Sequence, residues 1–237
     1  MDYFTLHSIL YGGSIQWILI LIPIILVLLA QSALKRTYAK YSKIYNARNL
    51  TGLQAARTIL DNQGLHNVQI FQGHGQLSDY YNPDKNIIML SPDVYSGTSV
   101  AALAIAAHEV GHAIQHATKY PVIALRNKLL PVSIVAGNLA WIVIMLGLVF
   151  ASFSGLLWVG IGMLGIIAVF QVVTLPLEFN ASSRALSILE STNLLTYEEV
   201  PMAKKVLNYA ALTYVVALIT TLAQVLRLVL IAVARRD

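Results

Sequence analysis

Two histidines and a glutamate fall within five residues of one another in the stretch AAHEVGHAIQH, residues 106–116. On a helix His108 and His112, four apart, lie on one face about a turn from each other and can bind the same ion. Glu109 is rotated by one residue, close enough to handle a water at that ion and poorly placed to be a ligand. The chemistry needs this division: zinc lowers the pKa of its water toward about 7, and a neighbouring carboxylate takes the proton and passes it to the leaving amine. The other reading is a helix that carries these residues by chance. Against it, an acid buried between two histidines in an apolar helix is costly unless something coordinates or neutralises it.

A catalytic zinc keeps three protein ligands and one open position, so a third is required. His116 stands two turns from His108 and well round the helix. Proteases that take a third histidine from the same segment use HExxHxxGxxH, where a glycine breaks the helix; here Gln115 stands at the glycine position and Thr118 at the last histidine. His116 therefore reads as a polar residue at the helix end, at most a support to a ligand. His7, His66 and His74 have no partner spacing and read as surface residues. Glu178 follows an apolar run and opens EFNASSRAL (178–186), with Asn180, Ser182 and Arg184 within two turns. Its alternative is a solvated helix-start glutamate favoured by the local dipole, and topology alone leaves the two readings balanced.

The elements that must position these residues are mostly apolar. Of 237 residues 57% are hydrophobic and 11% charged, with a mean hydropathy of +0.67, where soluble domains carry about 25% charged residues. The chain has no cysteine, which removes disulfides, thiolate metal sites and thiol nucleophiles and leaves His, Glu and Asp as ligands. A net charge of +5 is assigned to residues flanking spans rather than to nucleic-acid binding. Four uncharged runs are long enough to cross a bilayer, which takes roughly 20 residues: 15–33, 129–150, 155–177 and 206–226, the last continuing past Arg227 to Ala234. The start MDYFTLH is acidic and no small-residue cleavage site precedes Lys35, so the first span reads as an uncleaved anchor.

Lys35, Arg36, Lys40 and Lys43 follow the first span, and Arg126 and Lys128 precede the second. The positive-inside rule then places residues 34–128 in the cytoplasm. A hairpin of the second and third spans through ASFS (151–154) returns Glu178 to the side of His108 and His112. The last span is ambiguous: a full crossing puts Arg235 and Arg236 outside, against the rule, and the alternatives are a bend back or a tail on the surface. The expected organisation is an anchor (1–34), a cytoplasmic catalytic part (35–128), a transmembrane hairpin (129–177), a cytoplasmic segment with the third ligand (178–205) and a C-terminal span with a basic tail (206–237). Within the catalytic part a Thr51-capped helix stopping at Gly64 is expected. Strands at 68–71 and 86–90 are separated by a turn-rich stretch (73–85), and a helix from about Ser99 to Thr118 carries the motif. The fold class is a mainly α membrane protein with about four transmembrane helices and a small α+β catalytic part at the cytoplasmic face of the cell membrane.

AAHEVGHAIQHA (106–117) with LPLEFNASSRAL (175–186) after a membrane hairpin resembles the YugP-like bacterial membrane zinc metallopeptidases. TGLQAARTILD (51–61), LSDYYNP (77–83) and LSP (90–92) fit the same family, and the likeness runs from about Tyr41 to Leu212. A more distant likeness is to HtpX-like and CAAX-prenyl proteases, which also place a glutamate ligand beyond a membrane hairpin. The resemblance implies one zinc ion held by His108, His112 and Glu178, with Glu109 as general base, in a gluzincin-like arrangement. Two positions depart from the family pattern. YYNP stands where HYDP is common, so any role for a histidine at position 80 is absent, and Asn180 stands where a carboxylate is common. If that residue orients a ligand histidine, an amide still accepts the bond with less charge support.

The activity expected is hydrolysis of peptide bonds in membrane or membrane-proximal proteins. The partners are the bilayer and a protein or peptide substrate, with oligomers and accessory proteins left open. Residues 86–90 are expected to be an edge strand that pairs with an extended substrate. Tyr80, Tyr81 or Arg184 could hydrogen-bond the developing oxyanion, although the tyrosines also suit loop packing and Arg184 a pairing with Glu178 or Glu190. A site-2-type intramembrane protease would take an aspartate from a later span, and none of the downstream spans contains one. A non-catalytic zinc-tied scaffold has no need of Glu109.

Overall fold

In the computed structural model the described residues are 13–150 and 154–235; His7, the first three residues of the expected hairpin turn and Arg236 lie outside them. Among these residues seven helices and three strands follow in order: α1 (Gly13–Tyr41), α2 (Gly52–Asn62), β1 (Gln69–Gln72), β2 (Tyr80–Asn82), β3 (Ile87–Leu90), α3 (Pro92–Tyr95), α4 (Val100–Ala117), α5 (Pro121–Val149), α6 (Ser154–Ser191) and α7 (Val200–Ala234). Helices α1, α5, α6 and α7 are long and apolar enough to cross a membrane. The chain divides into two compact units, residues 1–30, 125–175 and 213–237 in one and residues 31–124 and 176–212 in the other.

In the first unit α5, α6 and α7 meet through Ala140, Ile144, Leu157, Leu164, Leu228 and Ala232. The last span is one unbroken helix, not a bend back. Arg235 just beyond it donates to the Gly147 and Leu148 carbonyl oxygens at the end of α5. Those carbonyls have no intrahelical partner, so Arg235 serves as a side-chain cap.

The second unit is built on a core that joins α2, β3, α4 and the C-terminal part of α6, with Ile59, Leu60, Ile88, Leu90, Leu103, Ala107, Ala185 and Leu189 buried together. Helix α2 starts at the capping box of Thr51 and Gln54, which satisfies two orphan donors reciprocally, and Gly64 follows it at φ +70°. The sheet order is β1-β3-β2, with β1 parallel and β2 antiparallel to β3. Residues 87–90 are therefore the central strand, which corrects the edge-strand expectation. The edge beside the motif helix belongs to β2, a strand hidden within the turn-rich stretch. Its hairpin to β3 is turned by Asn82, whose side-chain oxygen accepts from the Asp84 and Lys85 amides. Asp79 accepts from the Ser91 amide and hydroxyl, joining the LSDYYNP and LSP stretches.

Glu199 fastens two loops at once. One carboxylate oxygen accepts from the Thr196 amide, half of a capping box at the start of α7, and the other accepts from the Ala47 amide. Glu199→Ala is expected to lower the unfolding free energy by about 1–2 kcal/mol, read as a lower melting temperature in detergent with the metal content unchanged.

Candidate metal centre

The motif helix α4 begins where Ser99 caps it, its hydroxyl accepting from the Ala102 amide, and it runs apolar and buried past Glu109. Its neighbour at the site is α6. Gly111 makes their close approach possible: a Cβ there would lie 2.7 Å from the Ala181 carbonyl oxygen. With the helices this close, His108, His112 and Glu178 bring one ligand atom each to within 4.8 Å of one another. His108 Nε2 is 3.3 Å and His112 Nε2 is 3.6 Å from Glu178 Oε2. The edges of a tetrahedron with zinc–ligand bonds of about 2.1 Å are about 3.4 Å. Glu178 sits in the middle of α6 rather than at a helix start, which removes the dipole reading of this residue.

The hydrogen bonds behind the histidines decide what their inner nitrogens present. Gln115 Nε2 donates to the Leu177 carbonyl oxygen and to Asn180 Oδ1. Asn180 Oδ1 also accepts from Arg184 Nε, so both of Gln115's partners there are acceptors. The amide can sit only one way round, with Oε1 facing His112 Nδ1 at 3.0 Å. A carbonyl oxygen cannot donate, so His112 carries a proton at Nδ1. When the imidazole is neutral, Nε2 is then a bare lone pair aimed at Glu178 Oε2, itself a buried oxygen without a hydrogen-bond partner. Lone pairs facing one another at this distance need a cation or a proton between them, and the donor set of two imidazoles and a carboxylate suits zinc. Ser182 Oγ lies 3.1 Å from His108 Nδ1; a hydroxyl donates or accepts, so this contact holds the ring in place without fixing its tautomer.

Glu109 is buried beside this group. Burial raises its pKa, and the positive character of His108 and His112 opposes that shift in part. His116 is exposed and lies outside the triad, with Nδ1 3.4 Å from the Tyr81 hydroxyl. Tyr81 also donates to Asn86 Oδ1, and Tyr80 is half-exposed on the edge strand. Arg184 engages Asn180 and, among the described residues, no ion pair joins it to Glu178 or Glu190. Among the described residues no hydrogen bond joins Asn180 to a histidine; it acts through Gln115. In the sequence Gln115 marks only the absence of a third histidine; its spacing of three from His112 is local, but the Leu177 and Asn180 groups that set which way its amide faces lie more than 60 residues away.

The family described as "Putative neutral zinc metallopeptidase" matches residues 16–233. The chain belongs to that family. It is 40% identical over 208 residues, 88% of this chain and 92% of the relative, to the "Putative membrane protease YugP" of Bacillus subtilis (strain 168). No solved structure matches it. Membership in a zinc peptidase family agrees with the donor set, and the four long apolar helices agree with a multi-pass membrane protein.

Two outcomes follow for this metallopeptidase. Gly111→Ala is expected to push α4 from α6 and lower the bound zinc at least about tenfold, measured by metal analysis alongside circular dichroism that shows the helices retained. The second concerns pH. Burial works against a charge on His112, but the Glu178 and Glu109 carboxylates outweigh it and hold its pKa above the ordinary value of 6.5. Proton and metal compete for the same nitrogen, and a raised pKa lets the proton compete at higher pH. Zinc affinity is expected to begin falling already above about pH 6.5 as the solution is acidified, which a chelator-competition titration at successive pH values checks.

Proposed function

We propose that this chain is a zinc-dependent endopeptidase of the cell membrane that hydrolyses peptide bonds of membrane or membrane-proximal proteins on the cytoplasmic side. The observation that carries the reading is the meeting of two oriented imidazoles with an unpartnered buried carboxylate oxygen, beside a buried Glu109. His108, His112 and Glu178 hold one ion per chain in the gluzincin manner. Residues 35–128 and 178–205 form the catalytic part, and 1–34, 129–177 and 206–237 tie it to the bilayer. The basic residues Lys35, Arg36, Lys40, Lys43, Arg126 and Lys128 support the cytoplasmic orientation.

Zinc supplies a Lewis acid that lowers the pKa of water and polarises a carbonyl. Glu109 accepts the proton of the attacking water on its carboxylate and delivers it to the leaving amine nitrogen. Its burial brings its pKa closer to working pH, where one group can serve as both base and acid. Gln115 and Ser182 keep the imidazoles oriented, and Asn180 with Arg184 holds Gln115. The outer edge of β2 offers main-chain groups to an extended substrate. Of the three oxyanion candidates, the Tyr81 hydroxyl donates to Asn86 and Arg184 Nε to Asn180, which leaves the Tyr80 hydroxyl and the Arg184 Nη groups for that role.

Glu109→Gln is expected to keep its zinc and lose casein cleavage in detergent by about 10²-fold or more. If the variant cuts as fast as the parent, Glu109 is not the base. Zinc bound to the parent with no turnover of any protein substrate would instead point to the zinc-tied scaffold.

A further inference from the structure

Arg227 lies inside a membrane-spanning helix, and among the described residues no acid pairs with it. From residue 13 to residue 235 every Asp and Glu belongs to the other compact unit; the acids assigned to this one are Asp2 and Asp237, outside the described residues. Arg227 precedes Leu228, a core residue of its unit, and stands eight residues before Arg235, about 12 Å along α7. Its Nε is buried and without a hydrogen-bond partner. An arginine at such depth is costly unless it is paired or hydrated.

The guanidinium borders a cavity of about 330 Å³, at the lower end of small-ligand pockets, about 300–1,000 Å³. Gln224 and Thr220, one and two turns back on α7, add polar groups; α1 supplies an aliphatic wall from Leu19 to Leu28, about 13 Å along the helix, and Trp141 closes the α5 side. Ile24 and Leu28 are half-exposed on that wall, so the cavity opens sideways. It is a long apolar slot with one cation and neutral hydrogen-bonding groups. We propose that it binds an anionic phospholipid, the phosphate pairing with Arg227 and an acyl chain lying along α1. A phosphate matches the guanidinium fork bidentately, and the aliphatic wall matches a chain rather than a polar peptide.

Native mass spectrometry of the full chain, titrated with phosphatidylglycerol or phosphatidylcholine, tests this without any measure of activity. The parent is expected to retain one phosphatidylglycerol at least about tenfold more tightly than phosphatidylcholine. Arg227→Gln and Ile24→Trp, the latter filling the slot with the charge intact, are each expected to abolish that preference, whereas Lys128→Gln leaves it unchanged. Should Arg227→Gln fail to fold, Ile24→Trp decides. The proposal is overturned by equal retention of the two lipids or by retention that survives both substitutions. Loss on removing Arg227 but not on filling the slot also overturns it, as does a dimer that Arg227→Gln dissociates, since a second copy would then cover the arginine.

Discussion

The lone-pair nitrogen of neutral His112 and the Glu178 carboxylate oxygen are held against one another, beside His108, at a spacing where, left to themselves, they repel. The rest of the second unit can be understood as the apparatus that keeps them there. The small residues Gly111 and Ala181 let α4 and α6 approach, and the shared core of Ala107, Ala185 and Leu189 holds them in contact. The chain from Arg184 through Asn180 and Gln115 fixes the tautomer of His112. Each of these stabilises an arrangement that is favourable only with a positive charge at its centre, which is how a protein stores affinity for a cation in its fold.

Much of this was legible in the sequence, for reasons that differ by residue. His108 and His112 were legible because a helix makes sequence spacing into spatial proximity. Glu178 was reachable through the longer logic of a hairpin, although spacing could not separate it from a solvated helix-start acid. The groups that orient Gln115, and the contact of Ser182 with His108, were not, because a hydrogen bond across 62 to 74 residues leaves no periodicity. The sheet failed for a related reason. Tyr80–Asn82 is three residues long inside turn chemistry, and once it pairs with Ile87–Leu90 that strand becomes central rather than edge.

Arg235 shows where charge counting falls short. The positive-inside rule treats every basic residue near a span as a vote on orientation, but this one has two N–H groups engaged by the carbonyls that end α5. Its position is explained by helix capping, so an unbroken last helix and a basic end coexist. Membership in the metallopeptidase family and identity to the Bacillus subtilis relative across most of both chains agree with the sequence motifs quoted at the outset. The hydrogen-bond network adds what neither motif nor family contains, the reason each imidazole faces as it does.

The distribution of acids has a consequence for how the molecule senses its surroundings. Between residues 13 and 235 all the carboxylates and all five histidines belong to the unit that carries the metal centre. These are the side chains that change charge between about pH 4 and pH 8. Across that range the described part of the membrane unit keeps a constant charge, and among the described residues acidification is registered in the unit of the candidate metal centre. Among the described residues, one unit is electrically indifferent to proton concentration, while the other carries the acid–base response.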